Sequence, residues 1–351
     1  MIFINYLFGI NSMRKTCEEI KVNLAYRWFL GLAMDDSVPN YSTWSQNYIR
    51  RYNESSVFNE IFQRIIEEAI KHKFIDTSTV YGDSTHQKAC ANKRKAIDKE
   101  VKIVKKNYED DLLKEINEVR RSHGKKEIKS LDRKEITFDE ESGEVKENIK
   151  TKHIKESITD PECGLFHKGE KEKCFAYSHQ TFCEGNGFVL EVKTYPGNVH
   201  DSVSFFGAYD ELYKKYQGIK NVVLDSGYNT PAITRAIIRN NQTPYLPYKR
   251  PMTKKGFFKK YQFVYDEQFD EYLCPGDSEL KYTTTNKQGY KEYKSDPGIC
   301  EKCPLKDQCT SSKNNQKVIT RHVWAEYKEQ AEEVRGMRGF KDIYRERKQT
   351  I

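Results

Sequence analysis

The sequence predicts an α/β fold in which short buried strands deliver carboxylates to one edge and helices follow them. In Asn221–Tyr228, N-V-V-L-D-S-G-Y, apolar residues lead into Asp225 before Ser-Gly ends the strand. Thr77–Thr85, T-S-T-V-Y-G-D-S-T, is a second β-rich run, which ends at Asp83. The residues after Asp225 begin like a helix, with threonine as the N-cap and proline in the first turn.

The composition permits a polyanionic partner without requiring one. The chain has 351 residues, enough for two domains or for one domain with large insertions. Its hydrophobic content of 37% is low and its charged content of 32% is high, so solvated segments are expected to interrupt the core. The net charge of +8 arises from 60 basic and 52 acidic side chains. Local clusters of charge therefore matter more than the total.

The first ten residues are apolar but predict neither export nor a membrane anchor. They lack a basic leader and a small-residue cleavage site, and they are too short to span a bilayer. The expected location is the reducing cytoplasm. Clustered cysteines are therefore interpreted as metal ligands before disulfides.

Residues 1–75 are predicted to be a mostly helical domain, because apolar side chains recur at helical spacing. These side chains are Leu24, Trp28, Phe29 and Leu32, and then Phe58, Ile61, Ile65, Ile66 and Ile70. Between the two sets, a loop precedes a basic, aromatic helix. Two interpretations remain open, an ordinary helical packing domain and a helix-turn-helix-like reader of DNA.

Residues 76–250 contain both acid-bearing strands and a charged insertion at about residues 93–157. One apolar stripe within the insertion predicts an amphipathic helix that packs through a narrow seam. The stripe consists of Val101, Val104, Tyr108, Leu112, Ile116 and Val119. The surrounding basic residues form either a solvated face or a track for a DNA backbone, and the solvated face is favoured.

The segment Leu165–Asn198 predicts a β-hairpin joined through E-G-N-G. A helical run to Tyr216 follows P-G-N-V-H-D-S. Within that motif, His200 and Asp201 either reach an active site or cap the helix. The residue type favours capping for Asp201.

Residues 251–320 are predicted to be a basic insertion that binds zinc. Cations among aromatic rings suit a nucleic-acid surface, although ordinary loops share this composition. The cations at its start are Lys249, Arg250, Lys254, Lys255, Lys259 and Lys260. Further on, a C-x-x-C turn and two more cysteines supply four thiolates for a closed structural zinc site. These are Cys274, Cys300, Cys303 and Cys309, for which reduced, unpaired thiols are the alternative.

Asp83 and Asp225 are candidate ligands for divalent cations. Hard oxygen ligands on separate strands suit Mg²⁺ or Mn²⁺. A pair of such ions activates water or a 3′-hydroxyl for in-line attack on a phosphodiester. Taken alone, Asp225 is equally well explained as the cap of its turn.

Taken together, the motifs resemble those of a bacterial DDE-type insertion-sequence transposase with a four-cysteine insertion. The resemblance rests on the ordered set G-D-S-T-H-Q-K-A-C-A-N-K, T-D-P-E-C-G-L-F-H-K-G-E-K, F-A-Y-S-H-Q-T-F, P-G-N-V-H-D-S, L-D-S-G-Y, the C-x-x-C-P block and Y-R-E-R-K-Q-T-I. It implies a ribonuclease H-like mixed sheet flanked by helices, with Asp83 and Asp225 as the first two metal-binding acids. The implied activity is metal-dependent cleavage of element ends and strand transfer into target DNA. A homo-oligomer on DNA and a place at the bacterial nucleoid are also implied, and residues 1–75 would bind the element ends.

The third acid of the family is a glutamate that follows a Tyr-x-x-Arg pattern, matched here by Tyr344 and Arg347. The sequence given ends at Ile351, about where that glutamate would come, so residues 321–351 are expected to be the start of truncated C-terminal core helices. Earlier acids are poor substitutes; they are Glu326, Glu329, Glu332 and Glu333. Without the third ligand, activity should be impaired. A DNA-binding remnant that does not cut is the alternative, and a nuclease that never joins strands is a third possibility.

Overall fold

The computed structural model describes residues 1–52, 55–102, 108–131, 134–138, 145–149, 151–168, 172–249 and 253–350. Two compact units divide the chain, Met1–Ile75 and Asp76–Ile351. Within the described residues, no helix combines the length and the apolar character needed to cross a membrane.

The first unit is helical, as the spacing of its apolar residues predicts. Its helices are α1 (Ile2–Leu7), α2 (Met13–Val22), α3 (Leu24–Phe29), α4 (Tyr41–Tyr52) and α5 (Val57–Lys71). Side chains cap two of them. Ser12 Oγ accepts from the Lys15 N–H at 3.1 Å, and Asn23 Oδ1 accepts from the Ala25 N–H at 2.9 Å. These bonds satisfy N–H groups that have no partner inside the helix.

The apolar stripe predicted around α3 does not form a buried face. Leu24, Trp28 and Phe29 are all exposed, Trp28 by 82%. The buried side chain of this short helix is Arg27, whose guanidinium donates to the backbone carbonyls of Met34 at 3.0 Å and Asp36 at 2.8 Å. Because six residues make fewer than two turns, these bonds to the following loop decide which side of α3 turns inward.

The second unit contains the remaining elements in the following order. The helices are α6 (Glu109–Ser122), α7 (Asp201–Lys215), α8 (Pro231–Arg239), α9 (Pro297–Glu301), α10 (Lys306–Cys309), α11 (Ala325–Val334) and α12 (Phe340–Thr350). The strands are β1 (Thr79–Lys88), β2 (Ala96–Lys102), β3 (Lys134–Phe138), β4 (Val145–Ile149), β5 (Thr151–Ser157), β6 (Gly164–Lys168), β7 (Glu172–Glu184), β8 (Val189–Pro196), β9 (Asn221–Val223), β10 (Thr243–Tyr245), β11 (Val264–Asp266), β12 (Glu271–Leu273), β13 (Glu279–Thr285), β14 (Tyr290–Ser295) and β15 (Val318–His322).

The central sheet is mixed, as predicted, and is consistent with a ribonuclease H-like core. Its strand order is β10-β9-β1-β7-β6, and β8 also pairs with β7. Strands β1, β9 and β10 run parallel, whereas β7 is antiparallel to β1 and β8 is antiparallel to β7. The β7–β8 hairpin predicted through E-G-N-G is confirmed. Its turn is stabilised by Glu184, whose Oε1 accepts from the Asn186 N–H at 2.7 Å.

Helices flank the sheet, and α7, α8 and α11 each bury apolar side chains. Helix α7 contacts β7 and β8, whereas α8, α11 and α12 contact β10, and α12 also contacts β9. The aromatic core under α7 includes Phe182, Phe205 and Tyr209, which are fully buried. Phe205 stacks on Tyr209 with the ring centres 4.9 Å apart.

The helix of the charged insertion starts later than its apolar stripe predicts. Val101 lies in β2, which pairs with β5, and Val104 lies outside the described residues. The cross-strand pairing therefore prevails over the helical spacing at this end. From Glu109 onward the prediction is confirmed, since Leu112 and Ile116 are buried against Trp324.

A second sheet forms the C-terminal part of this unit, with strand order β11-β12-β13-β14-β15 and antiparallel pairing throughout. Its core consists of Phe263, Tyr272, Leu280, Tyr293 and Ile319. Asp270, in the turn before β12, accepts hydrogen bonds at 2.6 Å from the hydroxyls of both Tyr265 and Tyr293. The sheet is thereby a compact layer of its own, and its loops carry the cysteines.

Candidate functional site

Asp83 lies within a strand rather than at its end. The sequence predicts that the β-rich run stops at this residue, but β1 continues to Lys88. It continues because its antiparallel pairing with β7 persists as far as Lys88 opposite Ala176. The Asp83 side chain is 31% exposed, and its Oδ1 accepts from the Ser84 N–H at 2.8 Å.

Asp225 follows β9 and caps the turn after it. Its Oδ1 accepts from the Gly227 N–H at 2.6 Å and from the Tyr228 N–H at 3.4 Å. The capping interpretation is thus part of the structure. It does not compete with a chemical role, because the two hydrogen bonds fix the orientation of the carboxylate at the sheet edge.

The strand register places the two carboxylates side by side. Tyr81 lies opposite Val223 in the parallel pair, so Asp83 and Asp225 follow two residues later on the same face. Neighbouring strands are about 5 Å apart. On the other face of the sheet, the side chains of Leu224 and Phe182 fill the space beside Gly82. An added Cβ there would lie 2.6 Å from Leu224 Cδ2 and 2.8 Å from Phe182 Cε1.

The electrostatic environment of Asp83 suits a bound cation. Burial raises the pKa of the Asp83 carboxyl, while Arg347 and the Ser84 N–H act in the opposite direction. The neighbouring charges of Asp225 and Asp201 also raise this pKa. Negative charge is therefore concentrated in a partly desolvated place, where a cation stabilises it more than water does.

Helix α12 carries three side chains to this site. Arg347 Nη2 donates to Asp83 Oδ2 at 2.5 Å, and the Tyr81 hydroxyl donates to Glu346 Oε2 at 2.5 Å. The pKa of Tyr344 is raised by burial and, to a smaller extent, by the charges of Asp225 and Asp83. The Tyr-x-x-Arg pattern thus lies over both carboxylates. Sequence reasoning identified the pattern but predicted neither the ion pair nor a contact of Glu346.

The buried amide of Gln180 supports the strand that carries Asp83. Its Nε2 donates to the Asp83 backbone carbonyl at 3.2 Å, and its Oε1 accepts from the Tyr228 hydroxyl at 2.8 Å. Because Tyr228 belongs to the turn capped by Asp225, one side chain links the two acid-bearing segments. Gln180 lies in the F-A-Y-S-H-Q-T-F motif, which was the available signal in the sequence.

The capping role that the residue type favoured for Asp201 belongs to His200 in the structure. His200 is the N-cap of α7, and its Nδ1 accepts from the Ser202 N–H at 3.1 Å. Asp201 instead accepts from the Ser84 hydroxyl at 2.7 Å. Ser84 is next to Asp83 in β1, so its side chain points to the opposite face of the sheet. Asp201 therefore approaches the site from the α7 side.

The four predicted zinc ligands line one small cavity of about 20 Å³ in the second sheet's loops. Cys274 Sγ accepts from the backbone N–H groups of Gly276 and Ser278, both at 3.4 Å. Burial raises the pKa of the Cys309 thiol, and the other three cysteines raise it further. Cys300 Sγ donates to Ser295 Oγ at 3.1 Å.

No group of three or more His, Cys, Asp or Glu side chains in the described residues is arranged to hold a metal ion. Asp83 and Asp225 are two acidic side chains, which is fewer than the three that such a group requires. The donor types nevertheless fit the expected ions, carboxylate oxygen for Mg²⁺ or Mn²⁺ and thiolate for Zn²⁺.

Most of the predicted nucleic-acid-binding cations surround one groove. Lys249, Lys254, Lys255, Lys259 and Lys260 all line it, and Arg250 lies outside the described residues. Lys260 differs from the others because its ammonium donates to the Thr320 carbonyl at 2.7 Å. It therefore stabilises the groove wall.

Two family models match the chain, one toward each end. Residues 273–351 match a family described as "Transposase DDE domain", and residues 1–50 match "Transposase domain (DUF772)". Both matched families are described as transposase domains, and the mixed α/β fold is consistent with a DDE transposase. Together the matches support an insertion-sequence DDE transposase. No curated protein and no solved structure matches the chain.

Proposed function

We propose that this chain cleaves DNA at the ends of its insertion sequence and transfers the freed strand, with Asp83 and Asp225 as the metal-binding acids. The register that sets these carboxylates side by side on parallel strands carries the proposal. Two acids that are 142 positions apart in the chain share one face because β1 and β9 pair. A turn cap alone would not require Asp83 to be the neighbour of Asp225.

The residues around the acids have separate tasks. Asp83 and Asp225 would hold divalent cations, which activate a hydroxyl nucleophile and stabilise the leaving oxygen when bound. Gln180 fixes the backbone at Asp83, and the capped turn fixes Asp225. Arg347 neutralises Asp83 in the metal-free protein. If a cation took the place of this contact at Asp83, the Arg347 guanidinium would be available for a DNA phosphate.

The lysines of the groove supply phosphate contacts that are independent of sequence. Binding to DNA should therefore weaken steeply as salt increases, because each neutralised phosphate releases counterions. The four cysteines would hold a structural zinc ion, and they lie in the loop after β12, in α9, between α9 and α10, and in α10. Binding requires the Cys300 thiol to leave Ser295 and deprotonate.

The test is Mn²⁺-dependent cleavage of a plasmid that carries the gene for this chain with its flanking DNA. Wild type should cut at the element ends, and Asp225→Asn should abolish cutting while leaving DNA binding intact. Asp98→Asn is the matched control, because Asp98 is an exposed acid on β2. Binding without cutting by wild type would instead support the DNA-binding alternative, which the Arg347–Asp83 ion pair favours.

A further inference from the structure

A groove of about 950 Å³ in the second unit combines cations with exposed aromatic rings. We call it the aromatic groove. Its defining residues are Tyr248, Lys249, Lys254, Phe257, Lys259 and Tyr261. The segment from residue 253 to 261 forms one wall, and α11 contributes to the other through Ala325 and Lys328.

Two of the rings that line the aromatic groove are exposed to solvent. Tyr261 is 71% exposed and Tyr248 is 45% exposed. Each ring also has a cation nearby. The Lys259 ammonium lies 5.7 Å from the centre of the Tyr261 ring, and the Arg335 guanidinium lies 5.0 Å from that of Tyr248. A planar group that stacks on either ring would therefore have a positive charge beside it.

The balance of charge in the aromatic groove is positive. Its acidic lining residues are Glu329 and Glu332, and Glu329 already forms an ion pair with Arg321. The lysines at positions 249, 254, 255 and 259 remain, all of them exposed. An anionic, planar ligand matches this combination of charge and rings.

The aromatic groove begins near the proposed catalytic acids. Tyr248 lies three residues after the end of β10, and β10 is parallel to β9, with Tyr245 opposite Val223. Asp225 lies two residues beyond Val223. The carboxyl ends of parallel neighbouring strands meet at one edge of the sheet, so Tyr248 and Asp225 both follow the same sheet edge.

We propose that the aromatic groove binds unpaired DNA, as a single strand whose bases stack on Tyr248 and Tyr261 while lysines contact its phosphates. This inference rests on the proposed function and adds the form of the substrate, a locally melted strand next to the site of cleavage. A duplex keeps its base faces covered, so it would gain nothing from exposed rings. Stacking on aromatic side chains is independent of sequence and suits unpaired bases.

The test measures binding of the full chain to three fluorescent probes by anisotropy at one fixed salt concentration. The probes are oligothymidylate of about 12 nucleotides, a blunt duplex of equal length, and the same duplex with an unpaired tail. Tyr261→Ala and Tyr248→Ala should each weaken binding to the single strand and the tailed duplex about tenfold. Binding to the blunt duplex should change less than twofold.

Phe269→Ala provides the matched control. Phe269 is 68% exposed, similar to Tyr261, and lies in the turn between β11 and β12, outside the aromatic groove. It should bind all three probes like wild type. Thermal unfolding of each variant shows whether a loss of binding reflects a loss of folding, since removal of an exposed ring should leave the melting temperature unchanged.

The outcomes separate this proposal from the proposed function. If both tyrosine variants bind the single strand like wild type, or lose the blunt duplex equally, the groove proposal is wrong even when wild type cleaves DNA. If the tyrosines matter selectively but no cleavage occurs with Mn²⁺, the groove proposal stands and the catalytic one fails.

Discussion

Replacement of Arg347 by glutamine should strengthen the binding of Mn²⁺ to the metal-free protein. Arg347 donates to Asp83 Oδ2, the atom that a cation at this site would also need. The side chains of Arg347 and Asp83 are 13% and 31% exposed, so the ion pair is partly protected from water. A cation must replace this contact, and the variant removes that requirement.

The magnitude follows from the geometry of the ion pair. A hydrogen bond to a charged group contributes about 1.5–3 kcal/mol. The lower end applies here because the Asp83 side chain is 31% exposed, so water competes with the ion pair. A gain of about 1.4 kcal/mol corresponds to a tenfold lower Kd.

Isothermal titration calorimetry with Mn²⁺ measures the change. Arg345→Gln is the matched control, since it removes the same charge from the same helix at a residue that is 69% exposed and pairs with Asp342. It should leave the Kd within about twofold, because surface charges are screened. Weaker or unchanged Mn²⁺ binding by Arg347→Gln would refute the idea that the guanidinium and the cation compete.

Three further predictions concern zinc, packing and pH. Elemental analysis should find about one zinc ion per chain. The zinc should be lost in Cys300→Ser and retained in the control Cys90→Ser, which replaces an exposed cysteine. A wild-type protein that is folded but free of zinc would exclude the site. Trp324→Ala should lower the free energy of unfolding by about 3–5 kcal/mol, because this ring is 1% exposed. Trp28→Ala should lower it by less than about 0.5 kcal/mol, because that ring is 82% exposed. Urea denaturation that gives similar values for the two variants would contradict this packing. Since the folded-state pKa of Asp83 is raised above 3.8, its carboxyl favours the folded state at low pH and this advantage is lost as the pH rises through the raised pKa. The melting temperature of Asp83→Asn relative to wild type should therefore increase from pH 4 toward neutrality, and a decrease would show that the sign is wrong.

Local patterns in the sequence predicted the elements whose structure depends on nearby residues. The short strand before Asp225 and the helix with Thr230 as its N-cap follow from residue types within one turn, and the structure contains both. The mixed sheet was expected from the resemblance to the transposase family, and the E-G-N-G turn by itself predicted only the β7–β8 hairpin.

Contacts between distant segments could not be predicted in this way. Arg347 and Asp83 are 264 positions apart, and nothing local to either residue indicates the other. The hydrogen bond from Gln180 to the Asp83 carbonyl also joins distant segments, so local patterns do not indicate it either. The expectation that the apolar stripe with Trp28 forms a buried face was wrong for a related reason. Helical spacing identifies an apolar face but does not show whether another element covers it.

The central claim is that Asp83 and Asp225 hold the same metal centre, and a double-mutant cycle on Mn²⁺ binding tests it most directly. Asp83→Asn and Asp225→Asn should each remove the same calorimetric binding event, and the double variant should lose nothing more. If each single variant keeps a Mn²⁺ site that only the double variant lacks, the two carboxylates bind independently and the shared centre does not exist.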